Sequence, residues 1–384
     1  MGIQDAIRLS QTCAADARRA VREFHAAVMQ PQPALVIFFC SGGYDLDVLA
    51  EELRSLFGDV PLVGCTTAGE IGPAGYRHGI CGASFASHHF TVVSGLLDGL
   101  QDFSLGKGSA FVQSLLQRLE GRAPSATDEN TFAFQLIDGL SVREEPVTRT
   151  LKHALGGIPL FGGSAGDDLK FAKTHVYAGG RFHSDSAVLV LASTDLPFRI
   201  FKTQHFVPTD ERLVVTEADS ASRTVMEING LPAAQEYARL VGVGVDELDP
   251  LRFAASPVVV VIDGTDYVRS IQKANADGSL TFYCAIEEGL VLRVARGVDL
   301  LDTLEQTFSR IRAETGPPQA AFVCDCVLRM LEITQYGLQC RVEEVFRRNN
   351  VIGFNSYGEQ FHGVHVNQTL TGIAFGAHPV QRDG

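Results

Sequence analysis

The stretch Pro61–Ile71, which reads PLVGCTTAGEI, recurs twice more in this 384-residue chain. The second copy is PLFGGSAGDDL at Pro159–Leu169, and the third, looser copy is VIGFNSYGEQF at Val351–Phe361. Each copy has a short apolar run, a glycine, small polar residues, a second glycine and an acidic residue. Internal similarity of this kind predicts one structural unit that is built several times, with each copy completing its neighbours' core.

The surroundings of the three copies repeat as well. An apolar run precedes each copy, a helical pattern lies between run and copy, and another strand-like run follows. The preceding runs are Ala34–Cys40, Thr131–Ile137 and Ala320–Cys324, and the following runs are Ile80–Phe85, Ala187–Leu191 and Leu370–Phe375. The sequence therefore predicts a unit of strand, helix, strand, glycine-rich turn and strand. Within each unit the two strands that flank the helix are expected to run parallel, and the copies are expected to share sheets.

Length and composition predict an α/β fold of two lobes. Hydrophobic residues make up 45% of the chain and charged residues 20%, which is typical of globular proteins. We expect an N-terminal helix at residues 1–33, an N lobe at 34–198 that holds two repeats, and a C lobe at 199–384. Short strand-like runs between turn signals predict a mostly antiparallel sheet region at 200–300, inserted before the third repeat at 318–378.

Charge and cysteine content exclude several classes of function. The net charge is −13 without a large basic block, so nucleic acids and anionic membrane surfaces are not expected as partners. The eight cysteines are scattered and form no Cys-x-x-Cys pair, as expected for core residues of a reduced, cytoplasmic protein. The apolar runs are too short to span a bilayer.

Residues in and beside the turns are candidates for a ligand pocket. An acid after a glycine turn would repel phosphate and would better receive an amine or an arginine, and the Walker phosphate-binding pattern is absent. Each turn is equally compatible with a tight sheet corner that binds no ligand. The candidate pocket residues are Gly64, Cys65, Glu70, Gly162, Gly163, Asp167, Tyr357, Glu359, His365 and Asn367.

Cys65 and His205 are candidates for reactive or metal-binding chemistry. A catalytic cysteine needs an oriented base and an electropositive setting, and the sequence supplies neither near Cys65, so no enzyme is expected. His205 lies in a strand-like segment between apolar residues, where one ring nitrogen could ligate a metal or a haem iron. An isolated histidine of this kind is more often a half-buried residue held by hydrogen bonds.

The repeated motifs resemble those of FIST proteins over about Ala34 to Gly376. The segments that carry the resemblance are Gly64–Glu70, Phe161–Asp167, Tyr357–Glu359 and His365–Thr369, with Cys326-x-x-Arg329 similar to a Cys-x-x-Arg stretch of the family. The resemblance implies a FIST N segment followed by a FIST C segment. It also implies a sensory module for small ligands, such as amino acids.

One branch of that family, the NosP-type proteins, resembles this chain more closely. Many FIST proteins carry Gly-Trp near the start of the C-terminal segment, where this chain has His205-Phe206 and no tryptophan at all. The branch implies b-type haem with His205 as the iron ligand and nitric oxide as the signal. Homodimerisation is left open. It further implies two-component regulation of a separate histidine kinase or cyclic-di-GMP enzyme. The alternative is a metal-free module that binds an amino acid, with Glu70 or Asp167 meeting its ammonium group.

Overall fold

The computed structural model describes residues 6–262 and 264–376. This part of the chain forms two compact units. The first unit contains the chain up to Lys202, Glu305–Val364 and the residues from Leu370 onward. The second unit contains Thr203–Leu304 and His365–Thr369. The ends of the predicted N-terminal helix and of the predicted C lobe, at 1–5 and 377–384, lie outside the described residues.

The first two repeats have the same order of elements in the first unit. The first comprises β1 (Ile7–Thr12), α1 (Ala17–Val28), β2 (Pro33–Ser41), α2 (Leu46–Phe57), β3 (Leu62–Thr67), β4 (Glu70–Gly72), β5 (Gly75–Arg77) and β6 (Ile80–Ala86). The second comprises β7 (Phe90–Asp98), α3 (Leu105–Arg122), β8 (Thr131–Ile137), α4 (Glu144–Leu155), β9 (Leu160–Ser164), β10 (Val176–Ala178), β11 (Arg181–His183) and β12 (Ser186–Thr194).

The third repeat begins with a strand and is then interrupted by the second unit. That strand is β13 (Phe198–Thr203). The second unit holds β14 (Phe206–Asp219), β15 (Thr224–Ile228), β16 (Leu231–Pro232), α5 (Ala233–Val241), α6 (Pro250–Ala255), β17 (Val258–Ile262), β18 (Thr265–Arg269), β19 (Ile271–Ala274), β20 (Leu280–Phe282) and β21 (Val291–Gly297). These strands form one eight-stranded sheet whose described pairs are antiparallel, which confirms the predicted inserted sheet region.

After the insertion the third repeat continues with the same pattern. Its elements are α7 (Leu300–Thr315), β22 (Ala320–Cys326), α8 (Val327–Gln335), α9 (Gln339–Arg348), β23 (Val351–Ser356), β24 (Glu359–Phe361), β25 (Val364–Val366) and β26 (Leu370–Phe375). The three internal repeats and the mixed α/β fold are thus confirmed. No helix among the described residues is long and apolar enough to cross a membrane.

Three six-stranded sheets of equal strand order form the first unit. The orders are β1-β6-β2-β3-β10-β11, β7-β12-β8-β9-β24-β25 and β13-β26-β22-β23-β4-β5. In each sheet two strands of one repeat run parallel, namely β2 with β3, β8 with β9, and β22 with β23. The hairpin that follows each glycine turn leaves its own repeat and extends the sheet of another repeat. The three repeats therefore exchange hairpins in a closed cycle.

This exchange explains where the structure departs from the predicted division of the chain. The sequence predicts a boundary at residue 198, with the third repeat in a separate C lobe. In the structure the third repeat belongs to the same compact unit as the first two, because each hairpin pairs with a strand of another repeat. The predicted helix at 1–33 is a strand followed by a helix, and β1 pairs with β6 at the edge of the first sheet.

Phenylalanine rings from all three sheets meet in one core. Phe39 of β2 is 1% exposed, and its ring stacks on Phe354 of β23 at 4.6 Å between centroids. The same ring lies 6.5 Å from that of Phe134 on β8. Helices cover the outer faces, with α1 and α2 on the first sheet and α3 and α4 on the second. One side chain thus packs against both of the other sheets.

We predict that Phe39→Ala lowers the free energy of unfolding of the first unit by about 3–5 kcal/mol, because it leaves a cavity where three sheets meet. Urea denaturation measures the change. Leu105→Ala is the control, since Leu105 is 69% exposed and its truncation should have little effect. A Phe39→Ala protein that unfolds at the wild-type urea concentration would show that this contact is not needed for the core.

Candidate functional site

The three glycine turns lie together and are joined by backbone hydrogen bonds. We call Thr66–Glu70, Ser164–Asp168 and Asn355–Glu359 the turn ring. Its bonds run from Ala68 N to Asn355 O (2.9 Å), Asn355 N to Gly69 O (2.7 Å), Gly166 N to Thr66 O (2.9 Å), Asp168 N to Thr67 O (3.0 Å), Ser164 N to Gly358 O (2.8 Å) and Tyr357 N to Ser164 O (3.2 Å). Every turn is bonded to both of the others.

Close approach of the backbones requires glycine in the ring. A Cβ atom on Gly166 would lie 2.6 Å from the nitrogen of Ala68, and Gly69 has a φ of +147°, which side-chain-bearing residues rarely adopt. The candidate residues Gly64, Gly162 and Gly163 lie within strands, and a Cβ on each would meet Phe38 O at 2.4 Å, Gln135 O at 2.2 Å and the Phe354 ring at 2.7 Å, respectively. Packing accounts for these glycines without a ligand.

The acid of the first turn, Glu70, is buried and held by hydrogen bonds from its own repeat. The Thr67 hydroxyl donates to one carboxyl oxygen at 2.5 Å, and the backbone N–H of Gly79 donates to the other at 2.7 Å. Burial raises the pKa of Glu70 to about 8, although these two hydrogen bonds oppose the rise. Glu70 is therefore mostly protonated at neutral pH and offers no charge to a ligand ammonium group.

Asp167, the acid of the second turn, is ionised instead of protonated. Burial favours a raised pKa, but hydrogen bonds from Tyr357 and from the backbone N–H groups of Phe171, Ala172 and Lys173 outweigh it and lower the pKa of Asp167 below its usual value. The three backbone distances are 2.8, 2.7 and 2.9 Å. The carboxylate is thus ionised and fully occupied by the protein. In the third turn, Ser356 donates to Glu359 at 2.6 Å, repeating the bond of Thr67 to Glu70.

We predict that Glu70→Gln flattens the dependence of stability on pH. Between the ordinary carboxyl value of 4.5 and about 8, the folded chain holds a proton on Glu70 that the unfolded chain releases. Stability from this group is complete below pH 4.5 and is lost as pH rises through 8, at up to about 1.4 kcal/mol per pH unit. Thermal denaturation from pH 5 to 8 measures this slope. Glu120→Gln, an exposed control, should keep the wild-type slope, and a Glu70→Gln protein that keeps it too would refute the assignment.

The two cysteine-containing candidates are buried. Cys65 is fully buried, and burial raises the pKa of its thiol, so no reactive thiolate is available there. Arg329, from the motif that resembles the Cys-x-x-Arg stretch, is 1% exposed and donates through Nε to Asp325 at 2.8 Å. The hydroxyl of Tyr76 donates to the other oxygen of Asp325 at 3.1 Å. This part of the motif forms a buried ion pair beneath the third turn.

The remaining candidates, His205, His365 and Asn367, belong to the second unit. Asn367 is 1% exposed and His365 2%, and the carbonyl of His365 accepts a hydrogen bond from Arg269 at 2.8 Å. His205 is 1% exposed, its ring lies 4.2 Å from that of Phe206, and its carbonyl accepts from Val298 N at 2.7 Å. These three residues therefore belong to a different compact unit from the residues of the turn ring.

The largest of three cavities described in the first unit lies between α2 and the β10–β11 hairpin and has a volume of about 700 Å³. We call it the α2–hairpin cavity. Its lining includes the C-terminal end of α2, the start of β3, and Ser94–Leu96 of β7. Smaller cavities of about 270 and 200 Å³ lie at the end of α3 and between β13 and α7. His205 is not among the residues that line these three cavities.

Sequence reasoning missed the residues that give the α2–hairpin cavity its polar character. These residues are Arg54 on α2, and Tyr177, Arg181 and His183 on the hairpin. They belong to no motif, and Arg54 is more than 100 positions from the hairpin, so only the pairing of β10 with β3 brings them together. Among the described residues no cluster of three or more His, Cys, Asp or Glu side chains could hold a metal ion.

Comparison with known proteins agrees with the geometry of the repeats. The model of the FIST N domain matches residues 34–231, and that of the FIST C domain matches residues 233–362. An uncharacterized protein of Methanocaldococcus jannaschii is 24% identical over 382 residues, an alignment that covers 89% of this chain and 73% of that protein. The family matches together cover the insertion and most of the three repeats, and the chain therefore belongs to the FIST family of small-ligand sensory modules.

Proposed function

We propose that this chain is a metal-free sensor whose small ligand binds in the α2–hairpin cavity. The observation that carries the proposal is the position of the β10–β11 hairpin, which forms one wall of the cavity and whose base is hydrogen-bonded to Thr66 of the turn ring. A ligand that favours one position of the hairpin would thereby favour one arrangement of the ring. A sensor needs such an element, because a ligand shifts an equilibrium only through contacts that differ between two states.

Hydrogen bonds tie both ends of the hairpin to the body of the first unit. At the tip, Arg54 donates to the carbonyl of Gly180 at 2.5 Å. At the base, Thr66 N donates to the carbonyl of His175 at 3.0 Å, and His175 N donates to the Thr66 hydroxyl at 3.1 Å. A ligand that moves the tip of the hairpin therefore also acts on its base, which is hydrogen-bonded to the turn ring where all three repeats meet.

The charge states of the turn acids also favour this location over the turns themselves. Asp167 receives hydrogen bonds from three backbone amides and one phenol, so a ligand ammonium group would have to displace them. Glu70 is mostly neutral at pH 7. Neither acid therefore offers an available carboxylate, which argues against direct binding of an amino acid in these two turns.

We predict that Ser94→Trp blocks ligand binding while the fold remains intact. Ser94 is half-buried and lines the cavity, so an indole there fills space that the ligand needs. Thermal shift with a panel of amino acids and organic acids measures binding, because a ligand at 100 times its Kd stabilises by about 2.7 kcal/mol. Leu105→Trp, at an exposed position, is the matched control and should respond like the wild type.

If the Ser94→Trp protein is stabilised by the same compounds as the wild type, the ligand binds elsewhere. If no compound in the panel stabilises the wild type, amino acids and simple organic acids are not the ligands of this cavity. In this proposal the output is a separate protein, and a histidine kinase or a cyclic-di-GMP enzyme stays the prediction for it.

Haem with nitric oxide remains the competing prediction, and colour separates it from the proposal. We expect wild-type protein from cells supplied with haem to be colourless, because the proposed sensor binds its ligand without a metal. The absorption spectrum of the purified protein, recorded from about 350 to 650 nm where haem absorbs, shows whether haem is bound. A Soret band that shifts with nitric oxide and is lost in His205→Ala would overturn the metal-free proposal. His183→Ala is the control for a histidine at another site.

A further inference from the structure

The α2–hairpin cavity has a local charge opposite to that of the chain. The net charge of the chain is −13, yet the cavity is lined by Arg54, Arg181 and His183 against a single acid, Asp59. The guanidinium group of Arg181 has neither an ion pair nor a hydrogen bond to any residue that the structure describes. Arg54 uses one of its five N–H donors, in the bond to Gly180. Both guanidinium groups thus have donors available to an anion.

Tyr177 supplies a hydrogen-bond donor to the same cavity. This residue lines the cavity, is 1% exposed, and has its ring packed against Phe38 at 5.1 Å and Phe182 at 5.0 Å between centroids. Within the described part of the chain its hydroxyl neither donates nor accepts a hydrogen bond, and it is not one of the enclosed polar atoms without a partner, so it opens onto the cavity. Burial raises the pKa of Tyr177 to about 12, so the hydroxyl keeps its proton and can donate to a ligand atom.

The other walls of the cavity are apolar and determine how large the ligand can be. Leu53 and Phe57 of α2, Leu62 of β3 and Leu96 of β7 contribute to the lining. A volume of about 700 Å³ is within the range of sites that hold ligands of drug size, and it exceeds what a single small amino acid needs. The lining therefore combines an apolar body with a cationic mouth.

From these features we infer that the ligand is an anionic amphipathic small molecule. Its apolar body lies against α2 and β3, its carboxylate or phosphate group meets Arg54 and Arg181, and Tyr177 donates a hydrogen bond to one of its polar atoms. This inference rests on the proposed function, because it names the ligand class for the same cavity. It differs from an amino-acid ligand in requiring no carboxylate of the protein.

The first test uses anilinonaphthalene sulfonate, a fluorescent anion with an apolar body, on the full-length chain. The chain has no tryptophan, so the probe fluoresces against a low background. We expect saturable binding of one probe per chain, weakened by roughly ten- to a hundredfold in the double variant Arg54→Gln/Arg181→Gln, because each charge-assisted bond is among the strong ones. Tyr177→Phe should weaken binding by roughly three- to tenfold. Arg149→Gln, at an exposed position on α4 and outside the cavity lining, should bind like the wild type.

A second set of probes separates charge from shape and carboxylate from phosphate. Decanoate and decyl phosphate should displace the fluorescent anion, while 1-decanol, with the same apolar chain and no charge, should compete at least tenfold less well. The stronger of the two anions identifies the headgroup. Arg181→Gln alone provides a folded comparison if the double variant has a lowered melting temperature, since Arg181 is exposed.

The outcomes distinguish the ligand class from the cavity itself. Equal competition by decanol and decanoate, or wild-type affinity in both arginine variants, would overturn the anionic ligand, while loss of binding in Ser94→Trp would still support the cavity as the site. Equal probe binding by wild type and Ser94→Trp would overturn both the cavity and the inference that depends on it.

Discussion

The hydrogen bonds between the hairpin of one repeat and the sheet of another are the constraint on which the first unit depends. Without β10 the outer edge of β3 would expose unpaired N–H and C=O groups, and the same holds for β9 without β24 and for β23 without β4. No repeat can complete its own sheet, so the three fold as one body. The glycine turns are the crossing points of this exchange, which is why the backbones there lie within hydrogen-bonding distance.

The exchange also shows how one short motif can hold one neutral and one ionised acid. Thr67 and Ser164 occupy the same position, three residues before Glu70 and Asp167. In the first turn the chain enters β4 directly, and burial of Glu70 outweighs the hydrogen bonds from one hydroxyl and one amide, so Glu70 is mostly protonated. In the second turn a loop intervenes before β10, and its amides surround Asp167 and keep it ionised. Burial and the number of donors together set the charge of each acid.

The repeats could be predicted from sequence because their signal is local: apolar periodicity, glycines and acids recur in one order. The sheet that each hairpin joins could not be predicted in this way, because the pairing of Val176 with Cys65 depends on contacts between residues 111 positions apart. For the same reason the sequence does not predict that Tyr177 and Arg54 line one cavity. Strand β1 could not be predicted because it lies beside an arginine- and alanine-rich segment, and the two together resemble one long helix. The role of His205 is predicted from a family resemblance, and the structure shows this residue to be 1% exposed.

A binding site at the hairpin has a physical advantage over one at the turn ring. The ring acids are bound by the protein itself, and opening them would cost several hydrogen bonds before any ligand contact formed. The strands β10 and β11 have three residues each, and β11 is the edge strand of their sheet, so moving β11 breaks few backbone bonds. The base of the same hairpin is hydrogen-bonded to Thr66, within the ring where the repeats join. In the proposed sensor, a ligand at this edge therefore acts on the junction that holds the whole unit together.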